Sequence, residues 1–551
     1  MRKREKSKIK AAAKISERAT GLSRRDLIRA SCALPAAGLL ESVSRPLRAS
    51  APPRPTPTTD VYASIGVRPI INCDHVKTVL GGSLVLPEVM RAMESASHSF
   101  VQLDELMDAV STRLAALVGS EACIVTSGCA GAIAHGTAAC IAGGDPEKLR
   151  RLPNLAGLKS EVIIPRYSRN LYDQAVRMVG VKVIEVDTPE ALAAACSEKT
   201  AMIYMLGIND LGVSWLGDKI PAQFATLNVK TIVDIARPKN IPVFVDSAAE
   251  GLTKPDTYLQ RGATFVGYSG GKVMRGPQCS GLLMGRADLV KAAWINSAPH
   301  HSYGRPMKVG KEEIIGMMVA AEKWFERDHD AEWKEWQSWM QFVQKRVSTV
   351  AGITTEMDEG PGMTLNCPTL VVKWDGSKIG ISGAEVKKVL EQGSPRIFLG
   401  EGTGDKTDPT NSSVTVRSLN MVSGQERDVA EELTAVLASP PKSTPANRSD
   451  VSPAIAGSWD VHIDYVCGTA DHSFSLQQSG TQLSGEHKGE ILQGELHGWA
   501  RGNEIYLRSA QHYEGNWLRY QFSGTVDLPR MKGTVDLGEY GQARWTAEKR
   551  G

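Results

Sequence analysis

The sequence predicts an α/β fold: a large domain built on a mainly parallel sheet wrapped by helices, a small α+β C-terminal lobe, and then an all-β antiparallel barrel or sandwich. Three observations predict it. From Ile65 to about Ala438, short apolar β-branched runs alternate with helical patterns. Beyond Lys311 a long helical stretch leads into alternating strand-like and helical segments. From Ile455 the texture changes to about eight short strand-like segments, separated by glycines at roughly ten-residue intervals.

Residues 1–54 read as an address. They hold 14 Lys and Arg against 4 Asp and Glu. Ser23-Arg24-Arg25-Asp26-Leu27-Ile28 resembles the twin-arginine export signal, followed by a weakly apolar stretch from Ala30 to Leu40 and a small-residue cleavage site at Ala49-Ser50-Ala51. That apolar run is shorter than the roughly 20 residues a membrane-spanning helix needs. The resemblance implies an exported, periplasmic or extracellular protein with no membrane attachment once the signal is removed. A Pro-rich segment, "PPRPTPTT", then leads into the large domain, residues 55–310.

In the large domain "EACIVTSG", "EVIIPR", "VKVIEV", "TAMIYML", "IPVFVD" and "TFVGYSGG" read as strands, with amphipathic stretches such as "LMDAVSTRLAALVG" between several of them. In sheets of this kind ligands sit beyond the carboxyl ends of the strands. The residues just after each run are where chemistry is expected.

Residues 311–440 read as one long helical stretch, whose Trp and Met positions suit packing, followed by the small lobe. Residues 441–454 read as a linker and 455–551 as the antiparallel β domain. His462, His472, His487, His497 and His512 fall there without metal-like spacing. "GEGTGDKT", residues 400–407, looks like a nucleotide phosphate loop, but Asp405 occupies the required second glycine and no helix pattern follows, so a loop is expected.

Composition excludes several function classes. Without residues 1–54 the chain keeps 50 basic and 57 acidic residues (64 − 14 and 61 − 4), and a mildly acidic chain does not supply the clustered positive charge of a nucleic-acid surface. The nine cysteines form no CxxC pair and no Cys/His zinc pattern; a disulfide framework is not expected. Cys123, Cys129 and Cys140 lie in Ala-rich surroundings that suit small buried residues.

Four features fall where a pyridoxal 5′-phosphate site would need them. "CIVTSGCAGAIAHGTAAC" reads as strand, small-residue turn and apolar helix, so that Ser127, Gly128, Cys129 and Ala130 place backbone N–H groups at a helix N-terminus, where a phosphate is held. "IPVFVD" ends in Asp246, a carboxylate able to pair with a protonated pyridine nitrogen. Lys272 follows the next strand and supplies an amine that can form a Schiff base and move the proton at a substrate α-carbon, with burial lowering its pKa. Ser269 adds a hydroxyl for the phosphate, and Gly270-Gly271 permit close backbone approach.

The segments "YSGGKVMRGPQCSGLLMGRADLV", "HHSYGRPMKVGKEEIIG", "IGVRPIIN", "GGSLVLPEVMRAM", "FVQLDEL", "VTSGCAGA" and "FVDSAAE" resemble the selenocysteine synthase and D-glucosaminate-6-phosphate ammonia-lyase group of fold-type-I pyridoxal-phosphate enzymes, over roughly residues 62–440. The ammonia-lyase branch is the nearer likeness. The resemblance implies Lys272 as the Schiff-base lysine and Asp246 as the pyridinium partner, with Ser127, Gly128, Cys129 and Ser269 on the phosphate. It implies basic substrate-binding positions at Arg275, Arg305 and Lys308. Arg396 in "SPRIFLG" is a further candidate, able to fork onto a substrate carboxylate. A homodimer or larger homo-oligomer is implied too.

Two places depart from the group's pattern. Cys73-Asp74-His75 stand where small residues follow "IN", and Ser168 stands where a histidine usually precedes "RN.YD". Tyr167 or Tyr172 could replace that histidine, and His75 could supply a new acid or base. The expected function is an exported lyase acting on an amino acid or amino sugar acid by α-proton abstraction and β-elimination. The alternatives are transamination, racemisation, aldol cleavage, selenocysteine-synthase-like transfer, or a catalytically weakened scaffold whose β domain binds a ligand.

Overall fold

The computed structural model describes residues 61–213, 219–222, 224–358, 366–404, 409–441 and 451–550. The expected export signal, linker residues 442–450 and residues 405–407 of the rejected phosphate loop lie outside the described residues. The chain divides into two units at Val67/Arg68. In the first, Val61–Ser64 form a single helical turn. All the sheets belong to the second.

The first strand, β1 (Ile71–Cys73), pairs away from the main sheet. That sheet has seven strands: β2 (Ala122–Thr126), β3 (Glu161–Pro165), β4 (Lys182–Val186), β5 (Thr200–Leu206), β6 (Val243–Asp246), β7 (Phe265–Ser269) and β8 (Gly281–Gly285). Their order is β2-β8-β7-β6-β5-β3-β4. The strands from β7 through β4 pair in parallel, whereas β8 runs antiparallel to both β7 and β2. Two reversals restore direction, so β2 points the same way as β5, β6 and β7. Residues following these four strands therefore emerge at one edge of the sheet.

Helices cover both faces, which is why β5 and β6 are buried along their whole length. The helix Leu103–Val118 is capped by the Gln102 side chain, which accepts from Glu105 N, and stops at Gly119, where φ is 72°. The Ala- and Gly-rich helix Gly128–Ala142 is apolar around its whole circumference, and it is buried. A Cβ at Gly136 would lie 3.0 Å from the Phe244 ring; small residues let this helix lie close on the sheet.

The helical stretch after Lys311 is two helices, Lys311–Glu326 and His329–Val347, broken at Arg327-Asp328, where Asp328 caps the second. The first sends Ile314, Met317 and Ala321 into the large-domain core. The second sends Trp339, Met340 and Val343 into a separate core with Leu370, Val372 and Val414. This second core belongs to the small lobe. Its sheet contains β9 (Thr354–Asp358), β10 (Thr369–Trp374), β12 (Gly402–Thr403) and β13 (Ser412–Arg417), while β11 (Ile397–Leu399) pairs in parallel with β1. The first strand thus belongs with the lobe, ahead in sequence of the strands of the large domain.

The C-terminal strands are β14 (Gly457–Asp464), β15 (Thr469–Ser479), β16 (Gln482–Lys488), β17 (Gln493–Arg501), β18 (Glu504–Tyr513), β19 (Asn516–Asp527), β20 (Arg530–Asp536) and β21 (Gln542–Lys549). Each pairs antiparallel with the next, and β21 pairs back on β14. Of the two forms expected, the barrel is the one formed. Alternation fills it: Trp459, Val461 and Ile463 point inward while Asp460 and His462 point out. Phe474, Phe522 and Trp545 meet edge-to-face or tilted at its centre, with Phe474–Phe522 centroids 5.0 Å apart. His472 and His487 pack within, and His462, His497 and His512 lie on the outside.

Candidate active site

Ser127, Asp246 and Lys272 each follow a strand whose end lies at the shared edge of the sheet. Gly128 opens the apolar helix with φ 70°, a conformation that favours glycine. The first N–H groups of that helix point outward from the edge. Ser127 Oγ is buried and has no hydrogen-bond partner. Gly281 on β8 lies against this turn so closely that a Cβ there would sit 2.4 Å from the Gly128 carbonyl carbon. An unpartnered hydroxyl beside helical N–H groups is a fitting cradle for a phosphate.

Asp246 is buried at the end of β6. Its Oδ2 accepts from the Tyr204 hydroxyl at 2.7 Å, and its Oδ1 accepts from Ala248 N at 3.0 Å and the Cys129 thiol at 3.4 Å. Tyr204 lies on the neighbouring β5, and Asn170 donates to its hydroxyl oxygen at 3.3 Å. Burial, then the Asp246 charge, push the Tyr204 phenol well above its ordinary pKa, so it stays a donor. Burial, then Asp246, likewise hold the Cys129 thiol protonated.

Lys272 is half-buried, and its amine faces both Asp246 and Cys129. Burial lowers its pKa, and the negative charge of Asp246 opposes that shift without overcoming it. Its Nζ lies 5.8 Å from the centre of the Tyr172 ring. The glycines before it are required by space: a Cβ at Gly270 would lie 2.3 Å from Met317 Sδ, and one at Gly271 would lie 2.4 Å from Gln278 Cα.

The remaining expected positions divide. Ser269 sits at the end of β7 opposite Gly281. Arg275, with φ 55°, donates to the Leu84 carbonyl at 3.0 Å and so ties the lysine loop to the start of the helix Pro87–Ser97. Arg396 donates to the Glu391 carbonyl at 3.0 Å and lies over the Phe398 ring, both within the small lobe. Arg305 is half-buried and Lys308 exposed, on the loop before the helix Lys311–Glu326.

Of the two tyrosines considered as substitutes for the missing histidine, Tyr172 lies by Lys272, whereas Tyr167 packs on Phe224 at 5.5 Å. Ser168 itself is buried, donating to Asn209 Oδ1 and accepting from Leu206 N at 3.1 Å. His75 faces Asp74, Lys77, Glu401 and Arg417; burial first, then Arg417, push it down to about 4. Sequence reasoning missed Tyr204, Asn170 and the buried Glu250–Tyr258 pair. The one signal for Tyr204 was a tyrosine inside an otherwise aliphatic strand, "TAMIYML".

The described residues contain no group of His, Cys, Asp and Glu able to hold a metal ion. The residues at the sheet edge fit pyridoxal 5′-phosphate: a phosphate cradle, a fixed carboxylate and a desolvated amine. No family model matches the chain. It is 27% identical over 350 residues to D-glucosaminate-6-phosphate ammonia lyase of Salmonella typhimurium, covering 62% of this chain and 89% of that protein. It is 30% identical over 351 residues to 5′-C-glycyluridine monooxygenase-decarboxylase of a Streptomyces species, covering 61% of this chain and 83% of that one. The solved structure of a D-glucosaminate-6-phosphate ammonia-lyase superposes with a TM-score of 0.59 at 25% identity, covering 69% of this chain and 98% of the other. With pyridoxal 5′-phosphate as its cofactor, the chain belongs to the selenocysteine synthase and D-glucosaminate-6-phosphate ammonia-lyase group of fold-type-I enzymes.

Proposed function

We propose that the chain is an exported lyase that removes the α-proton of an amino acid or amino sugar acid and eliminates a β-substituent. The observation that carries this reading is the desolvated Lys272 amine facing the fixed Asp246 carboxylate. Pyridoxal 5′-phosphate, when bound, supplies the electron sink for charge left at the α-carbon. Lys272 would hold the cofactor through its amine and would act as the base that takes the substrate's α-proton. Asp246 holds the pyridine nitrogen, kept in place by Tyr204, Ala248 and Cys129. Ser127 and the N–H groups after it hold the phosphate, aided by Ser269. Arg305 and Lys308 are the basic groups available for an acidic substrate group. Export rests on the paired arginines at Arg24-Arg25, and assembly as a homodimer or larger ring on the family resemblance.

The test is product analysis with the purified full-length protein on a panel of D- and L-amino acids and aminated sugar acids. Release of ammonia with an oxo acid supports the reading, provided Lys272→Ala abolishes both turnover and the visible absorbance of the bound cofactor. A second reading, loss of the carboxylate in place of the α-proton, is favoured by Ser168. Its hydroxyl is fully used by Asn209 and Leu206, so this position offers no titratable group for proton transfer. Carbon dioxide release without ammonia would select that reading.

A further inference from the structure

The barrel is not a separate bead on a linker: one of its ends is built onto the segment that flanks Lys272. In the closed up-and-down order, the turns 465–468, 489–492, 514–515 and 537–541 all fall at that end. Glu514 and Gly515 form the β18–β19 turn, with φ of 46° and 74°. Two consecutive positive φ values are what a two-residue hairpin of this hand requires, and glutamate is a poor choice for the first. Its side chain explains its presence. Glu514 Oε2 accepts from Arg169 Nη2 at 2.5 Å, and Arg169 is nearly buried. Gly515 seats against the same segment: a Cβ there would lie 2.7 Å from Asn170 N and 3.1 Å from the Arg169 carbonyl carbon.

That segment leads directly to the site. Asn170 donates to Tyr204, which donates to Asp246. Tyr172 carries the ring nearest the Lys272 amine. Burial first, then the charges of Asp246 and of Glu539 on the barrel, raise the pKa of the Tyr172 phenol. Glu539 belongs to the β20–β21 turn, and its neighbour Tyr540 opens onto a cavity of about 380 Å³ at the barrel mouth. Tyr465, Arg519, Tyr520, Leu537 and Gln542 also line it. Phenol, guanidinium and amide groups over an apolar floor suit a hydroxyl-rich chain or ring.

We propose that the barrel mouth forms the outer wall of the Lys272 site within the same chain, and that Glu539, Tyr540 and the cavity behind them recognise a polyhydroxylated group remote from the substrate's reacting amine. Glu514 is the positioning residue that seats this wall. The inference rests on Lys272 being the reacting amine, and it deepens that reading by assigning the specificity of the site to a module outside the α/β domain.

The test has two arms, both on the full-length chain. In the cofactor-free protein, hydrogen exchange of backbone amides 166–177 is measured for wild type, Glu514→Gln and Glu514→Ala. Faster exchange confined to this segment is expected, and unchanged protection overturns the proposal whatever the second arm gives. In the cofactor-loaded protein, binding of D-glucosaminate and of D-serine is titrated through the cofactor's visible spectrum. Glu539→Gln and Tyr540→Phe, each removing one hydrogen-bonding group, are expected to weaken D-glucosaminate about tenfold and to leave D-serine unaltered. Equal effects on both probes, or wild-type preference for D-serine, overturn it. Retention of the cofactor spectrum in Lys272→Ala would instead remove the functional reading and leave the exchange result standing.

Discussion

Tyr204 donates its hydroxyl hydrogen to Asp246 at 2.7 Å, from the strand next to the one that Asp246 ends. The bond fixes the carboxylate's orientation before any ligand arrives, and Asn170 fixes the phenol in turn. A pre-oriented acceptor spares the cofactor the cost of ordering it.

Tyr204→Phe removes that bond and leaves the ring's packing against Phe244, at 6.1 Å between centroids, in place. Loss of one hydrogen bond to a charged group is expected to weaken pyridoxal 5′-phosphate binding about tenfold. Fluorescence titration of the cofactor-free protein measures it. Unchanged affinity would show that Ala248 N and Cys129 alone hold the carboxylate.

Lys272 carries a pH signature in the cofactor-free protein. Burial lowers its pKa below the ordinary 10.5, so between the folded value and 10.5 the unfolded chain binds more protons than the folded one. Stability at this site therefore rises with pH through that window. Lys272→Met, which removes the titrating amine, is expected to raise the melting temperature of the cofactor-free protein at neutral pH, with the advantage shrinking as pH approaches 10.5. Differential scanning calorimetry at a series of pH values checks the sign.

Much of this site was legible because its chemistry follows strands. Ser127, Asp246 and Lys272 each stand at the end of a run that the sequence marks with β-branched and apolar residues, and sheet direction alone brings them to one edge. The barrel's strands were legible through their alternation, and the choice of barrel over sandwich was not, because closure depends on β14 meeting β21 across the whole domain. β8 went unread as a strand: its "GLLMG" is short and glycine-bounded, and its antiparallel direction depends on the lysine turn before it. The break at Arg327-Asp328 was hidden because charged residues continue the helical pattern on both sides. Glu514 carries no local signal, and Tyr204 only that of a tyrosine inside an aliphatic strand. Each matters through a partner more than 40 residues away in the chain.

Glu250 gives a second pH test with the opposite sign. It is buried, accepts from Tyr258 at 2.8 Å, and is pushed up to about 7 by burial first, then by Asp246 and Asp256. The folded state holds this proton more tightly than the unfolded chain, so the stabilisation is complete below 4.5 and is lost as pH rises through 7. Glu250→Gln keeps an acceptor for Tyr258 and cannot ionise. It is expected to be more stable than wild type at pH 8, by about 3 kcal/mol, and equal to it below pH 4. Urea unfolding at the two pH values decides this.

Arg169 gathers three carboxylates, and its loss has a calculable asymmetry. Its Nε donates to Asp173 Oδ2 at 2.6 Å, and its other nitrogens donate to Glu185 and Glu514. Asp173 is fully buried, while the Glu185 side chain is 44% exposed and the Glu514 side chain 33% exposed. Arg169→Met leaves Asp173 with Arg177 alone, at 3.0 Å, and strands part of a buried charge. The expected cost is about 3 kcal/mol in urea unfolding. Glu514→Gln is expected to cost less, because water reaches that carboxylate and the amide still accepts from Arg169. The double variant is expected to fall short of the sum of the two, since each single change already removes the charge pairing they share. Strict additivity would mean that Arg169 and Glu514 do not act as a pair, and the barrel turn would then be held by the Gly515 contact and the Arg177–Glu514 ion pair at 3.7 Å.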